Sequence, residues 1–517
     1  MITIVKSIAL HGLDGQIVEV EVDVSRGLPS FDLVGLPDTA VREAKDRVRA
    51  AIKNAGFEFP VKRIIVNLAP ADIKKEGPVY DLPIAVGILA STGQLDPSRC
   101  SPYAFLGELS LNGALRGISG VLPSTLAARD GGVTNIIVPA VNAEEAALIK
   151  EVVVYPAATI GEIVCFLRGG LRISPHTAKA NPLSADTHQE TTPDFAEVRG
   201  QLAAKRALEI AAAGGHNLIM IGSPGSGKTM LARRLPGILP DLTFPEALEV
   251  TKIHSLAGML HPDKPLVSRR PFRSPHHTAS TASIIGGGRI PKPGEVSLAH
   301  LGVLFMDEIP EFRKDTLEAL RQPLEDGVVT IARVSATLNY PASLMLVAAC
   351  NPCPCGYFGD TSRDCRCTPY QVDRYLSRLS GPLLDRVDIH VEVPRLPYHE
   401  IASGKTPESS RSVKSRVEAA QCRQRQRAAQ TTKKAASLNP AAAYNARLSP
   451  IELRKQCQTT KPAAALLKEA FHTLSLSARS HDRILKVART IADLADSGLI
   501  QENHIAEALQ YRTLDRH

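Results

Sequence analysis

The chain has 517 residues, more than one ordinary hydrophobic core needs, which favours about three domains. It is 44% hydrophobic and 22% charged, as in soluble globular proteins, and with no Trp its cores must be built mainly from Val, Ile, Leu and Ala. The net charge of +8 is modest for this length. The start has no charged segment before a long apolar run, and no apolar span reaches about 18 residues, so we expect a cytoplasmic protein without signal peptide or membrane partner.

The first predicted domain, residues 1–171, mixes the alternating pattern of strands with the longer period of helices, which indicates an α+β fold. Strands are expected over Gln16–Val24 and Arg63–Leu68, and helices over Thr39–Ala55, Leu82–Ser91 and Leu122–Arg129. Residues 172–193 are polar, contain three Pro and show no periodicity, so they are predicted to form a linker.

The second predicted domain, residues 194–400, alternates helical segments with short apolar strands. The third, residues 401–517, is rich in Ala, Arg and Leu and is predicted to be helical, with a basic helix near Ser412–Ala429. Nine basic and two acidic residues lie between Lys405 and Lys434. This run fits a solvated helix or linker, and it also fits a surface that contacts nucleic-acid phosphates.

A phosphate-binding loop lies near the start of the second domain. The apolar strand Asn217–Ile221 leads into G-x-x-x-x-G-K-T and a helix-like segment, the context in which this motif binds nucleotides. Glycines let the backbone N–H groups face the phosphates, and the start of the following helix adds positive potential. We expect Lys228 to contact the β and γ phosphates of ATP and Thr229 to bind Mg²⁺. The loop comprises Gly222, Ser223, Pro224, Gly225, Ser226, Gly227, Lys228 and Thr229.

Two acidic residues follow the next buried strand. Gly302–Met306 is apolar and runs directly into Asp307 and Glu308. Carboxylates at the end of a buried strand are costly unless they have partners. About 80 residues after a phosphate loop, Asp307 is expected to hold Mg²⁺ through its water shell and Glu308 to polarise the attacking water.

Three further polar residues complete the predicted ATPase site. Asn351 follows the buried strand Ser343–Ala349 and can contact the γ phosphate or the water, although an Asn before Pro also fits a turn. Arg386 fits an arginine finger that acts on a neighbouring subunit's nucleotide. Arg479, at the start of a helical segment, is predicted to be a second sensor, with Arg483 as the alternative. Surface salt bridges would also account for these arginines.

Five of the nine Cys crowd between Cys350 and Cys367. Four of them, Cys353, Cys355, Cys365 and Cys367, form C-x-C pairs nine residues apart, which can surround Zn²⁺. Cys350 offers an alternative C-x-x-C pair with Cys353. Reduced thiols in a loop without metal are the third interpretation, and disulfides are not expected in a reducing compartment.

The chain closely resembles the ComM/YifB magnesium-chelatase-like proteins. The similarity is carried by residues 26–60 and 66–89, by NPCPCGYFGD and by SGPLLDRVDIHVEVP, and it extends over essentially the whole chain. It implies a multidomain α/β protein with a Lon-protease-like α+β N-terminal domain, a P-loop AAA+ core and a C-terminal helical lid. It also implies a homo-hexameric, ATP- and Mg²⁺-dependent helicase on single-stranded and branched DNA, which promotes branch migration in recombination and natural transformation.

The resemblance to the Lon protease domain raises the question of peptidase activity. That enzyme uses a Ser–Lys dyad, and the matching positions here are Val79 and Ser124. Neither residue can form the dyad. We therefore expect a non-catalytic platform for DNA or partners.

One segment also resembles replicative MCM helicases. Residues 327–342 are predicted to form a hairpin with Arg333 near its tip, and the resemblance implies that this basic residue contacts DNA in the pore of the ring. An ordinary edge hairpin is the alternative. Residues 272–297 are a second predicted insertion, in which Arg289 and Lys292 are candidate DNA contacts.

Three other functions compete with the DNA translocase. A magnesium-chelatase-like motor acting on a protein partner would share the ATPase core and the lid. A non-enzymatic scaffold is disfavoured by the intact Lys228, Asp307, Glu308 and Arg386. A Lon-like peptidase is disfavoured by the missing dyad.

Overall fold

The computed structural model describes residues 2–178, 193–288, 291–333, 336–360, 363–379, 381–397, 407–431, 444–474 and 476–512. The chain forms two compact units. The first contains Met1–Asp186, Ala247–Ser268 and Ala332–Tyr340, and the second contains Thr187–Glu246, Arg269–Ile331 and Pro341–His517.

The first unit contains a seven-stranded mixed sheet in the order β3-β4-β2-β1-β5-β8-β9, and a separate two-stranded sheet of β6 and β7. Strand β2 is antiparallel to both of its neighbours, β1 and β4, and all other neighbouring strands in the large sheet are parallel. Buried and exposed residues alternate along β2 and β4, so one face of these strands forms core. The strands are β1 Thr3–His11, β2 Asp14–Ser25, β3 Ser30–Val34, β4 Arg63–Ala69, β5 Tyr103–Phe105, β6 Glu108–Leu109, β7 Leu115–Arg116, β8 Asn135–Pro139 and β9 Val153–Ala157.

The helices of the N-terminal part of this unit are Thr39–Arg42, Ala44–Asn54, Asp81–Ser91, Pro97–Cys100, Val121–Asp130, Ala143–Ala146 and Ile160–Arg168. The prediction of a single helix over Thr39–Ala55 is wrong, because the segment forms two helices that meet at Glu43. At Glu43 ψ is −14°, and the Asp46 N–H donates to the Glu43 carbonyl, three residues before it, instead of the carbonyl four residues before it. The helix Asp81–Ser91 is buried along almost its whole length. Its first residue, Asp81, forms a bidentate ion pair with Arg47 at 2.7 and 2.9 Å, which compensates a buried charge.

The second unit is built on a five-stranded parallel sheet in the order β11-β14-β17-β10-β18. The central strands β14 and β17 are buried at every residue, as expected for strands covered on both faces. Strands β12 and β13 form a separate two-stranded sheet, and so do β15 and β16, whose residues Ala332–Tyr340 belong to the first unit. The strands are β10 Leu218–Ile221, β11 Phe272–Arg273, β12 Gly286–Gly287, β13 Lys292–Pro293, β14 Val303–Met306, β15 Val328–Arg333, β16 Ala336–Pro341, β17 Met345–Cys350 and β18 Ile389–Glu392.

Helices surround this sheet and continue into an all-helical C-terminal part. One hydrophobic core joins sheet residues such as Leu218 and Val347 to Val417 and Ile484 of that part. The longer helices are Leu202–Gly214, Pro369–Leu376, Ser410–Thr431, Pro450–Gln456, Lys461–Thr473, Ala478–Leu494 and Glu502–Gln510, and the shorter ones are Lys228–Ala232, Thr281–Ile285, Glu295–Leu298, Lys314–Ala319, Arg321–Asp326 and Gly381–Leu384. The helix Phe244–Leu256 begins in this unit and belongs to the first unit from Ala247 onward.

Many cations of the basic helix Ser410–Thr431 form ion pairs within the second unit. Its cations pair with carboxylates of neighbouring elements, four of them in the contacts Lys414–Asp241, Arg416–Glu209, Arg423–Asp496 and Arg427–Asp493, at 2.5 to 2.8 Å. These contacts favour the structural interpretation of the basic run over a phosphate-contacting surface. Within the described residues, no helix combines the length and the apolar character needed to cross a membrane.

Candidate nucleotide-binding and hydrolysis site

Three neighbouring strands of the parallel sheet end at the same edge. Strands β14, β17 and β10 lie side by side, and the loop from Gly222, the pair Asp307–Glu308 and Asn351 follow their carboxyl ends. In open parallel sheets, ligands bind at this edge. The fold thus gathers motifs that lie more than 100 residues apart.

Glycine is required at specific positions of the phosphate loop. A Cβ atom at Gly222 would lie 2.2 Å from the Val393 carbonyl oxygen, because the loop leaves the sheet between β17 and β18. Gly225 and Gly227 have φ of +79° and +95°, in the left-handed region that side chains disfavour. The loop therefore curls tightly before the helix begins at Lys228.

The Lys228 ammonium lies within this curl. Its Nζ donates to the carbonyl oxygens of Gly222 at 2.6 Å and Ser223 at 3.0 Å, and to Asn351 Oδ1 at 3.2 Å. Burial lowers the pKa of Lys228. These three partners are neutral oxygens, so a phosphate would supply the negative charge that this buried cation favours.

Thr229 and Asp307 provide oxygen atoms for a hard cation. The Thr229 hydroxyl donates to Asp307 Oδ2 at 2.7 Å, which places a hydroxyl and a carboxylate within reach of one ion. Mg²⁺ prefers such oxygen ligands next to nucleotide phosphates. The residues present therefore fit a Mg²⁺–ATP complex, in which Thr229 and Asp307 would hold the metal.

Glu308 is held in an uncommon backbone conformation. Its φ is +50°, and its side chain is about half exposed at the edge of the site. Left-handed backbone at a non-glycine residue is uncommon and recurs at functional sites. His277 places Nδ1 3.8 Å from Glu308 Oε2.

Arg386 lies in a different contact group. It donates to the Pro382 carbonyl oxygen at 2.7 Å and pairs with Glu325. Asn217 fixes the backbone beneath it, because its amide donates to the Arg386 carbonyl at 2.9 Å and accepts from the Leu346 N–H at 2.8 Å. The structure thus ties Arg386 to the strands of the sheet rather than to the phosphate loop of its own chain.

The two lid arginines contact acidic residues near Arg386. Arg479 is mostly exposed and reaches Asp385 at 3.4 Å, whereas Arg483 is mostly buried and contacts Asp388 at 2.7 Å. Neither is brought to the phosphate loop in these contacts. The surface salt bridge weighed for Arg479 is the arrangement that the structure shows.

The four cysteines of the C-x-C pairs converge. Their sulfur atoms all lie within 4.8 Å of one another, and three of the separations are 3.3, 3.6 and 3.7 Å. Four thiolates around Zn²⁺ would lie about 3.8 Å apart, since the Zn–S distance is about 2.3 Å. The donor set fits zinc.

Cys350 is not part of this cluster. It is buried in β17, and burial raises its pKa to about 12, so it is a thiol in the core. The alternative pairing of Cys350 with Cys353 is therefore wrong for these residues. All nine cysteines are free of disulfides.

Of the three predicted DNA-contacting side chains, the structure describes that of Lys292. Lys292 is exposed in the short strand β13, Arg289 lies outside the described residues, and Arg333 ends β15 with a side chain that is also outside them. The hairpin of β15 and β16 is present as predicted. Leu338 and Tyr340 of β16 are buried within the first unit, with Leu338 next to Gly12.

Several polar residues at the opposite edge of the sheet, where strands β10 and β18 begin, were not identified from the sequence. Asp388 accepts hydrogen bonds from His216 at 3.0 Å and Arg483 at 2.7 Å, and His216 also contacts Thr490 at 2.8 Å. The available signal was a pair of polar residues, His216 and Asn217, immediately before a buried strand. Polar residues at such positions need buried partners.

Three family models match successive parts of the chain. The family described as subunit ChlI of Mg-chelatase matches residues 20–142, magnesium chelatase, subunit ChlI, matches residues 194–401, and its C-terminal family matches residues 407–512.

Full-length relatives are similar along the whole chain. The chain is 45% identical to competence protein ComM of Haemophilus influenzae, covering all of this chain and 98% of the relative. It is 47% identical to the protein YifB of Salmonella typhimurium and 45% identical to YifB of Escherichia coli, again covering all of this chain and 98% of each relative.

Proposed function

The chain belongs to the ComM/YifB family of magnesium-chelatase-like AAA+ proteins, and we propose that it is an ATP-driven DNA translocase that promotes branch migration in recombination and natural transformation. The observation that carries the ATPase part is the meeting of Lys228, Asn351 and the Thr229–Asp307 pair at one sheet edge. The DNA part is supported by full-length similarity to a competence protein.

In this proposal each residue of the site has a separate task. Lys228 neutralises the β and γ phosphates, and Thr229 with Asp307 holds Mg²⁺. Glu308 orients the attacking water and takes part in its deprotonation, while Asn351 senses the γ phosphate.

Arg386 acts on the nucleotide of the adjacent subunit in a homo-hexamer. Its separation from its own phosphate loop in the contact network supports action in trans. Arg479 serves as the second sensor from the lid only after it leaves Asp385, and Arg483 is the alternative.

DNA is proposed to be single-stranded or branched and to contact the two insertions of the ATPase domain. Arg333 at the hairpin, with Arg289 and Lys292 of the 272–297 segment, would bind backbone phosphates. We place the domains at 1–171, 194–400 and 401–517, with a linker of residues 172–193 between the first two.

The first domain is proposed to be a Lon-like platform without peptidase activity. The position of the nucleophile is Val79, and Ser124 is buried with its hydroxyl donating to the Gly120 carbonyl at 2.7 Å. An aliphatic residue at the first position and a hydroxyl engaged within its own helix at the second supply neither a nucleophile nor a base.

Zinc at Cys353, Cys355, Cys365 and Cys367 is part of the proposal. A closed set of four thiolates is a structural site, in which the metal stabilises a loop without its own core. Elemental analysis of purified protein should find about one zinc per chain, and its absence would refute this assignment.

The deciding experiment measures ATP hydrolysis with and without single-stranded and branched DNA. We expect DNA to stimulate the wild type, Lys228→Ala to lose nucleotide binding, and Glu308→Gln to bind ATP but hydrolyse it at least about 100-fold more slowly. Wild-type hydrolysis by Glu308→Gln would refute the water-activating role.

A magnesium-chelatase-like motor is the second candidate, because all three matching family models are named for that subunit. ATP hydrolysis that responds to no DNA but rises with a protein partner would favour it. Stimulation by DNA, abolished in Glu308→Gln, would favour the translocase.

A further inference from the structure

The loop that carries the four cysteines begins at a residue of the nucleotide site and returns to lie beside it. Asn351, whose Oδ1 accepts from Lys228 Nζ, is two residues before the buried Cys353. The helix Pro369–Leu376 starts directly after the last cysteine and is capped by Thr368. Burial raises the pKa of Tyr375 in this helix, and the Asn351 backbone close to it acts in the opposite direction. Both ends of the loop therefore lie beside Asn351.

The middle of the same loop touches the phosphate loop directly. Gly356 has φ of +84°, and a Cβ atom on it would lie 2.6 Å from Cγ and Cδ of Pro224 and 3.8 Å from Cγ of Asn351. A separation of 2.6 Å between carbon atoms is far inside van der Waals contact. The backbone at Gly356 thus packs against the phosphate loop as closely as a hydrogen atom allows.

These contacts give the cysteine cluster a position in the nucleotide site. Gly356 is next to Cys355, so the geometry of the four sulfur atoms fixes where the Gly356 backbone lies. Pro224 in turn precedes Gly225, where the loop begins its tight curl. A loop held by a closed metal site is more rigid than the same loop without one, because the metal restricts its backbone.

We propose that the four-cysteine turn is a brace for the phosphate loop, in which Gly356 acts as a positioning residue and occupancy of the cluster by a metal sets the affinity for ATP. This proposal rests on the proposed nucleotide site but not on the DNA activity. If the loop instead bound DNA or a protein partner, changes in it would alter DNA binding or assembly and leave the affinity for ATP unchanged.

The chain offers a matched pair of glycines for the test. Gly359, three residues after Gly356, has φ of +78°, but a Cβ there would meet no atom within 4 Å. Gly356→Ala and Gly359→Ala therefore add the same left-handed strain, and only the first adds a clash with Pro224. We measure the Kd of the full-length protein for a fluorescent ATP analogue, together with its zinc content.

The expected result is an increase in Kd of about tenfold, or about 1.4 kcal/mol, for Gly356→Ala at unchanged zinc content, because the added Cβ overpacks the contact with Pro224. Gly359→Ala should remain within about twofold of the wild type. Equal Kd values for the two variants, whether both raised or both unchanged, would overturn the role of Gly356.

A rescue distinguishes the contact from general damage to the loop. Pro224→Ala removes both Cγ and Cδ from the contact, so the double variant Gly356→Ala with Pro224→Ala should bind ATP more tightly than Gly356→Ala alone. Strictly additive losses would contradict a direct contact between the two positions.

The metal part is tested separately. Removing zinc from the wild type with a chelator, with release followed by a colorimetric zinc indicator, should raise the Kd for the ATP analogue, and added zinc should restore it. Unchanged Kd after complete zinc release would overturn the brace. A protein without DNA stimulation, but with these shifts in Kd, would refute the translocase and leave the brace standing.

Discussion

Replacing Asp388 with Asn removes the charge that ties the parallel sheet to the lid helix Ala478–Leu494. Burial raises the pKa of Asp388, but the hydrogen bond from His216 and the charge of Arg483 outweigh burial and lower it to about 2. Compared with the ordinary value of 3.8, this corresponds to about 2 kcal/mol of stability at neutral pH.

Hydrogen–deuterium exchange of the helix Ala478–Leu494 measures this contribution, because its amide exchange rates report local opening. We expect about 30-fold faster exchange in Asp388→Asn at pH 7, the factor that about 2 kcal/mol represents. Asp385→Asn is the control, since Asp385 is partly exposed and meets Arg479 at 3.4 Å. A surface pair contributes about 0–1 kcal/mol, so this control should change exchange by less than about fivefold.

The pH dependence follows from the lowered pKa of the Asp388 carboxylate. A lowered folded-state pKa gives stability that is present above the unfolded value of about 3.8 and lost as pH falls through about 2. The difference between wild type and Asp388→Asn should therefore be equal at pH 8 and pH 6. A difference that changes between these values, or an equal effect of Asp385→Asn, would refute the reasoning.

Three further substitutions test other contacts. Arg47→Met leaves Asp81 buried without its cation, and we expect denaturant unfolding of the first unit to show a loss of about 3–5 kcal/mol, whereas an unchanged midpoint would contradict the buried pair. Gly222→Ala places a Cβ 2.2 Å from the Val393 carbonyl, so binding of the fluorescent ATP analogue should fall below detection, and retained binding would show that the loop can shift. Arg427→Gln should lower the melting temperature but leave the salt dependence of DNA binding unchanged, because its guanidinium is engaged inside the unit, and a smaller salt slope would instead indicate a phosphate contact.

The parallel sheet and the meeting of its motifs could be predicted because the signals are local. Continuous apolar runs such as Val303–Met306 identify strands buried on both faces, and polar residues directly after them mark the edge where parallel strands end. The convergence of Lys228, Asp307 and Asn351 follows from these patterns alone.

Contacts between distant side chains could not be predicted in this way. His216 meets Asp388 across 172 positions and Thr490 across 274, and no periodicity relates such residues. The basic run around Arg427 has the same composition whether its cations face solvent or pair with carboxylates, so composition left both interpretations open. The helix predicted over Thr39–Ala55 is interrupted at Glu43 because of the backbone torsions there. Glu is a good helix former, so the residue type gave no sign of the interruption.

The composition of the first unit also constrains the order in which the chain acquires its structure during synthesis. Buried Glu145 accepts hydrogen bonds from the Leu122 N–H at 2.8 Å and from the Ser255 hydroxyl, and Ser255 lies 110 positions further along the chain. Tyr340, buried in the same unit, emerges from the ribosome later still. Domains generally fold as units while the chain grows, but this one lacks two of its segments until most of the ATPase sequence has been translated. The first unit can therefore be completed only after these later segments have been synthesised. A gene fragment that encodes the first 171 residues alone would leave Glu145 without the hydroxyl of Ser255 as a partner.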